Sequence, residues 1–216
     1  MKRTTITTLV LTLAVGGLAL AAPATKKPAD KKDAPAAAPA DAKAGGADVN
    51  AIVAAMAKFA EPAENHARLK GMEGSFDTSL TVYLNGKAQP AEKGYAELWL
   101  MLGGRFLAED YKGSFLGKPV SSHILFGYDN ARKVYTSVRV TNLNTDMMVR
   151  EGTVDATGKI ITLKGTGFDP LTGKNATGRM VYTLESADKF SVEVFETKEG
   201  QPEAKLFDVS YTRRKE

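Results

Sequence analysis

From Glu73 to Arg213 the chain consists of short runs of alternating or continuous apolar residues broken by turn-forming residues, the pattern of β-strands joined by tight turns. The runs predict strands near 74–84, 93–102, 105–115, 121–128, 133–141, 145–154, 159–166, 177–185, 189–197 and 204–213, about ten in all. The stretch from Gly94 to Tyr111 anchors this pattern. Two arms rich in aromatic and aliphatic residues meet at Gly103-Gly104, which supplies the positive φ values of a tight hairpin turn. Glu97, Arg105, Glu109 and Asp110 interrupt the arms, so each arm is expected to have one face in a core and one less apolar face. Further turns are legible at Asn85-Gly86, Gly117-Lys118-Pro119, Asp129-Asn130, Asp155 to Gly158, Asp169 to Gly173, Ala187-Asp188 and Glu199-Gly200. Because nearly every connection is short, consecutive strands become antiparallel neighbours, and a meander this long closes so that no edge is left exposed. The expected fold is all-β: an antiparallel up-and-down β-barrel of about ten strands over residues 73–216. A two-sheet β-sandwich is the alternative.

Ahead of the strands the period changes. Ile52, Val53, Met56 and Phe59 recur at helical spacing behind Asp48 or Asn50, either a suitable N-cap, and Pro62 ends that helix. A second short helix is expected from Pro62 to Leu69, stopped by Gly71. Residues 48–72 therefore predict a helical lid over one end of the barrel. Residues 22–47 are almost entirely Ala, Pro, Lys, Asp and Gly, with no large apolar side chain to offset ordering entropy, and predict a disordered spacer. In residues 1–21, Lys2 and Arg3 precede the apolar run Ile6 to Leu20, and Ala19-Leu20-Ala21 has small residues where a signal peptidase reads. This predicts a signal peptide cleaved near Ala21 and an exported protein, periplasmic or secreted, with no stable membrane insertion afterwards.

Charge and composition narrow the functions. The formal net charge of +4 suggests nucleic acid until its location is considered. Of 29 basic and 25 acidic residues, seven and three lie in the first 47, leaving 22 of each in the expected folded part. A nucleic-acid binder concentrates Lys and Arg on the domain itself, so nucleic acid is not an expected partner. Cysteine is absent, which removes disulfides, thiolate metal sites and cysteine nucleophiles.

Several groups of residues carry a family likeness: His66-x-x-Leu69 with Gly71 and Gly74-x-Phe76, Leu102-Gly103-Gly104-Arg105-Phe106-Leu107, Gly127-Tyr128-Asp129-Asn130, and Tyr135. Asn142, Thr145, Glu151-Gly152, Asp169-Pro170-x-x-Gly173, Arg179 and Tyr211-Thr212-Arg213 continue it. Over residues 64–214 the chain resembles the bacterial family known as domain of unknown function 1579. The resemblance implies a lipocalin-like β-barrel, similar in outline to small haem- or fatty-acid-binding barrels. The chain departs from the family pattern where Phe76 replaces a Trp and where Arg139-Val140-Thr141 replaces Trp-x-Asp.

Catalytic parts are scarce. His66 and His123 are the only histidines, too few for the usual zinc sites, and Gly-x-Ser-x-Gly is missing. Ser121 and His123 share a strand face with no identifiable third group for a hydrolase. Haem would need His123 as its ligand, and a rim or surface position is the plainer reading of that residue. His66 is expected to hydrogen-bond a backbone carbonyl at the barrel mouth. No cofactor and no metal are expected. The expected function is a binding module for a small amphipathic or apolar ligand, with Trp99, Tyr128, Tyr135 and Tyr211 as aromatic walls and Arg105, Arg139 and Arg179 as cations. The plainer alternative sets these arginines in solvent or in ion pairs with Glu97 or Glu193, within a solid-core structural or envelope-interaction protein. Glu193 is the first candidate partner for Arg139. A cavity of a few hundred Å³ is the feature that separates a ligand-binding barrel from a filled one.

Overall fold

Two helices precede eleven strands: α1 (Val49–Ala60), α2 (Glu64–Gly71), β1 (Gly74–Leu84), β2 (Lys87–Ala88), β3 (Glu92–Met101), β4 (Phe106–Phe115), β5 (Lys118–Asp129), β6 (Val134–Thr141), β7 (Met148–Val154), β8 (Ile160–Asp169), β9 (Lys174–Ser186), β10 (Lys189–Thr197) and β11 (Ala204–Arg213). The computed structural model describes residues 48–169 and 172–215. The expected signal peptide and spacer lie outside the described residues.

Each long strand pairs antiparallel with the next, and β11 returns to β1 from Phe76↔Arg213 to Val82↔Phe207. The result is a closed ten-strand barrel with β2 outside it, so the sandwich alternative does not apply. β2 arises because β1 outruns its neighbours. The first seven residues of β1, Gly74 to Leu80, pair with β3, while Tyr83 and Leu84 turn through Asn85-Gly86 onto β2. Asn85 and Gly86 both have positive φ, 52° and 74°, as a two-residue hairpin requires. The anchoring hairpin is β3–β4. Its turn spans residues 102–105, with Leu102, Gly103 and Gly104 at φ 49°, 68° and 85°, and the Gly104 and Arg105 amides both donate to the Met101 carbonyl at 3.1 Å.

One end of the barrel is filled by aromatic rings and closed by α2. Phe190 stacks on Tyr211 at 4.2 Å and Phe126 on Tyr182 at 5.0 Å, while Phe76 meets both Phe190 and Tyr211 edge-on. Such pairs contribute about 0.5–1.5 kcal/mol each beyond their area burial. Leu69 and Met72 drop into this layer, both essentially without solvent contact. His66 is buried as well: its Nδ1 accepts the Ala63 amide at 2.9 Å, and it makes a backbone hydrogen bond with Tyr128. Arg213 ties the end together by donating to the carbonyls of Gly71, Glu73 and Ala187.

The two helices divide the expected lid role unequally. Asp48 caps α1 through the Asn50 amide at 3.0 Å, as its sequence predicts, but no residue of α1 is buried. Only the C-terminal edge of α1 is held, by Arg105 on the Ala60 carbonyl and Asn130 on the carbonyls of Phe59 and Glu61. α2 alone packs onto the barrel, against β4 and β5. Among the described residues no helix is long and apolar enough to cross a membrane. The far end of the barrel carries, among the described residues, β2 and the turns and loops between strands, including residues 142–147 between β6 and β7 and 198–203 between β10 and β11.

Candidate functional site

Inward positions on the far side of the aromatic layer are unexpectedly polar. On β4, Leu107, Glu109 and Tyr111 alternate inward, which buries the Glu109 carboxyl to 5 % exposure. Tyr211 on β11 donates its hydroxyl to Glu109 Oε1 at 2.9 Å. Burial pushes the Glu109 carboxyl up to about 7, against the lowering pull of the Tyr211 hydrogen bond and the Arg139 charge. Burial likewise raises the Tyr182, Tyr211 and Tyr111 hydroxyls, so all three are neutral donors at physiological pH.

Two arginines face this interior. Across β6–β7, Ser137 pairs with Arg150 and Arg139 with Met148, so Arg139 and Arg150 project inward as diagonal neighbours. Arg150 is 4 % exposed, and its Nε and Nη1 have no hydrogen-bond partner. Desolvation, together with the Arg139 charge, lowers its guanidinium to about 10, still cationic at neutral pH. Room for its side chain comes from bare strand positions. A Cβ at Gly165 would meet Arg150 Cγ at 2.9 Å, and one at Gly178 would lie 3.6 Å from Arg150 Nη2. The Tyr111 hydroxyl and Thr78 Oγ1 are two more buried polar atoms, and each is the other's neighbour.

An interior cavity of about 40 Å³ lies beside Glu109, Tyr211 and Arg139, and Arg150 is not part of its lining. Its polar wall is Glu109, Tyr111, Ser122, Arg139, Tyr182 and Tyr211; Leu80, Met180 and Phe207 are among its apolar lining. Such a volume holds one or two water molecules. It falls well short of the few hundred Å³ expected for an enclosed ligand, so an extended chain has no room inside the barrel in this conformation.

Of the expected site residues, the barrel gathers some and disperses others. Arg139 and Tyr211 line the cavity, and Tyr135 is inside but at the helix end, donating its hydroxyl to the Asn65 carbonyl at 3.1 Å. Tyr128 is beside it, edge-on to Tyr135 at 4.9 Å and to His66 at 5.8 Å. Trp99, Arg105 and Arg179 are corrections. Trp99 is on the outer face, 37 % exposed, because Leu98 and Leu100 take the inward positions of β3. Arg105 belongs to the turn before β4 and binds the α1 terminus. Arg179 points outward between Met180 and Gly178, bonded to Glu203 and stacked 3.9 Å over Phe195. Glu193 is also outside, bonded to Lys205 at 2.7 Å, and so does not partner Arg139. His123 faces outward, with Nδ1 2.8 Å from Asp110 Oδ1 and its ring near Trp99, a position from which it cannot reach an interior haem. Glu109, Tyr111, Arg150 and Tyr182 were not among the expected site residues. For Glu109 the signal was present: it shares strand parity with Leu107 and Tyr111.

Residues 61–213 match the family described as "Protein of unknown function (DUF1579)". Among curated proteins none matches the chain. The crystal structure of Rv2717c from M. tuberculosis is similar at 18 % identity and a TM-score of 0.54, covering 72 % of this chain and all of that one. At lower similarity, the S-type phycobiliprotein lyase CPES from Guillardia theta gives 11 % identity and a TM-score of 0.49 over 69 % of this chain and 92 % of its own. The redesigned barrel mFAP1, solved bound to DFHBI, gives 14 % identity and 0.34 over 67 % and 97 %. The likeness to Rv2717c bears on the fold alone.

Proposed function

The chain belongs to the DUF1579 family, and from that premise we propose that it is an exported binding protein for a small amphipathic molecule, taken up at the barrel end remote from α2. The observation that carries this reading is the mixed wall of the interior cavity, with Leu80, Met180 and Phe207 facing Arg139, Ser122 and Tyr211. A wall of that kind suits a ligand with a polar head and an apolar body. The volume of about 40 Å³ limits the enclosed part to the head. The body then rests among the apolar side chains exposed at the far-end loops, such as Leu116, Leu143 and Met147.

The same small volume favours a second reading, a barrel filled by its own side chains that acts as a structural envelope protein. Amide and methyl NMR spectra decide between them when octanoate and octanol are titrated into the protein. Shifts at Ser122, Arg139, Met180 and Tyr211 are the expected result. If both compounds leave these residues unmoved, the barrel is a filled structural one. Trp99 fluorescence is not the readout, because Trp99 is on the outer wall. Export is tested separately by N-terminal sequencing of protein recovered from cells: a mature chain beginning near Ala22 is expected, and one retaining Lys2 refutes export.

A further inference from the structure

We infer that the head-group site is the Arg139–Arg150 pair and that it takes an oxyanion, a carboxylate or a phosphate monoester carried on a short apolar body. This rests on the binding reading above and narrows it to one ligand chemistry. Three observations converge on it. Arg150 is 4 % exposed with Nε and Nη1 unpartnered, although a buried guanidinium is strongly unfavourable without acceptors. No carboxylate bonds it: Tyr182 and then Asp146 of the β6–β7 loop act on it only through space, and a second cation, Arg139, projects from the next strand. Two adjacent inward cations repel one another, so the arrangement is completed by an anion that both can bond rather than by either one alone.

The backbone around Arg150 fits this role. Gly165 and Gly178 are paired across β8–β9, and both lie against the Arg150 side chain, Gly165 beside its Cγ and Gly178 beside its guanidinium. On the cavity side the neutral hydroxyl of Tyr182 adds a donor, while that of Tyr111 is turned toward Thr78. The donor set is therefore two guanidinium groups and the Tyr182 phenol, of which Arg139 and Tyr182 line the cavity and Arg150 stands diagonal to Arg139, with Glu109 already engaged by Tyr211. Donors of this type select oxyanions over neutral or cationic heads. The enclosed volume excludes anything bulkier than the head group itself.

The test is calorimetric titration of the purified protein with octanoate, octyl phosphate, octanol and octyltrimethylammonium, together with the side-chain Nε–H resonance of Arg150. Wild-type protein is expected to bind one acid at least about tenfold more tightly than octanol, the gain expected from hydrogen bonds to a charged group. The Arg150 Nε–H signal should shift on adding that acid. Preference for octanoate assigns a carboxylate, and preference for octyl phosphate assigns a phosphate. Arg150→Met should abolish the preference for acids, leave octanol binding in place, and raise or preserve the thermal midpoint, because it removes an uncompensated charge. Arg139→Met, at a less buried position, should weaken the preference in the same direction and serves if Arg150→Met does not fold. Arg179→Met, on the outer wall, should change nothing. Octanol binding as tightly as both acids overturns the inference while leaving the amphipathic-ligand reading intact. Survival of the acid preference in both interior variants does the same. Failure of all four probes to bind overturns both.

Discussion

Glu109→Gln should change how stability depends on pH, and the structure sets both the sign and the size. In the native barrel burial holds the Glu109 carboxyl at about 7, against the ordinary 4.5 of a glutamate in the unfolded chain. The native state therefore holds a proton that the unfolded chain releases between these values. Sign follows directly: the Glu109 contribution is fully present below about pH 4.5, erodes as pH rises toward 7, and is gone above it. A span of 2.5 pH units at about 1.4 kcal/mol per unit gives a limit of about 3 kcal/mol, of which about 2.5 kcal/mol falls between pH 5 and pH 8. Gln keeps a side-chain oxygen to accept the Tyr211 hydroxyl but carries no titrating proton. The two proteins should thus have similar stability at pH 5, and the variant should be the more stable by about 2–3 kcal/mol at pH 8. Urea denaturation at half-unit intervals measures it, and the other titrating groups, His66 among them, cancel in the difference. Parallel stability curves for wild type and variant across that range would show that Glu109 ionises as it does in water, and the account of the interior polar layer would fail.

Gly152→Ala should be strongly destabilising, by about 2–3 kcal/mol or more, because its Cβ would lie 1.8 Å from the Thr162 carbonyl oxygen on β8 and neither backbone can yield without breaking the β7–β8 ladder. A chemical denaturation midpoint equal to that of the wild type would refute this. A chain starting at Glu61 should unfold within about 1 kcal/mol of the longer one, since α1 buries no residue and gives up only backbone acceptors for Arg105 and Asn130; a loss above about 2 kcal/mol in a thermal melt would mean that α1 closes the barrel after all.

The closed barrel was legible because its information is carried by turns, which act locally. Asn85-Gly86 and Gly103-Gly104 take the left-handed conformations that their residue types favour. The interior was less legible because it depends on strand parity, and parity is readable only where apolar and polar residues alternate. On β10, Val192 and Val194 flank Glu193, so its outward position follows from alternation. On β3 the run Leu98-Trp99-Leu100-Met101 is apolar on both faces, and only the leucines' fit inside decides that Trp99 goes out. Arg179 stands at the edge of another unbroken run, Met180-Val181-Tyr182, and the same ambiguity misplaces it. Glu109 failed for a different reason. Its parity with Leu107 and Tyr111 is plain, but a carboxylate at a core position contradicts the usual partition of charge, so composition gives no reason to place it inside.

The two ends of this barrel are built on opposite principles. At the helix end the large side chains complement one another: rings stack, Leu69 and Met72 fill the plug, and Arg213 bonds three carbonyls, of Gly71 at the end of α2, Glu73 before β1 and Ala187 in the β9–β10 turn. On the far side of Tyr182 and Tyr211 the interior holds a carboxyl displaced to about 7 and a guanidinium displaced to about 10, each shifted toward its neutral form by burial. Both shifts oppose folding, and apolar residues of similar volume at positions 109 and 150 would remove both costs. A barrel whose task is only to be solid has no use for them. The stabilised end therefore supplies the free energy that holds the strained end in place, and the charges kept there are the part of the molecule whose physical account is incomplete without an anion.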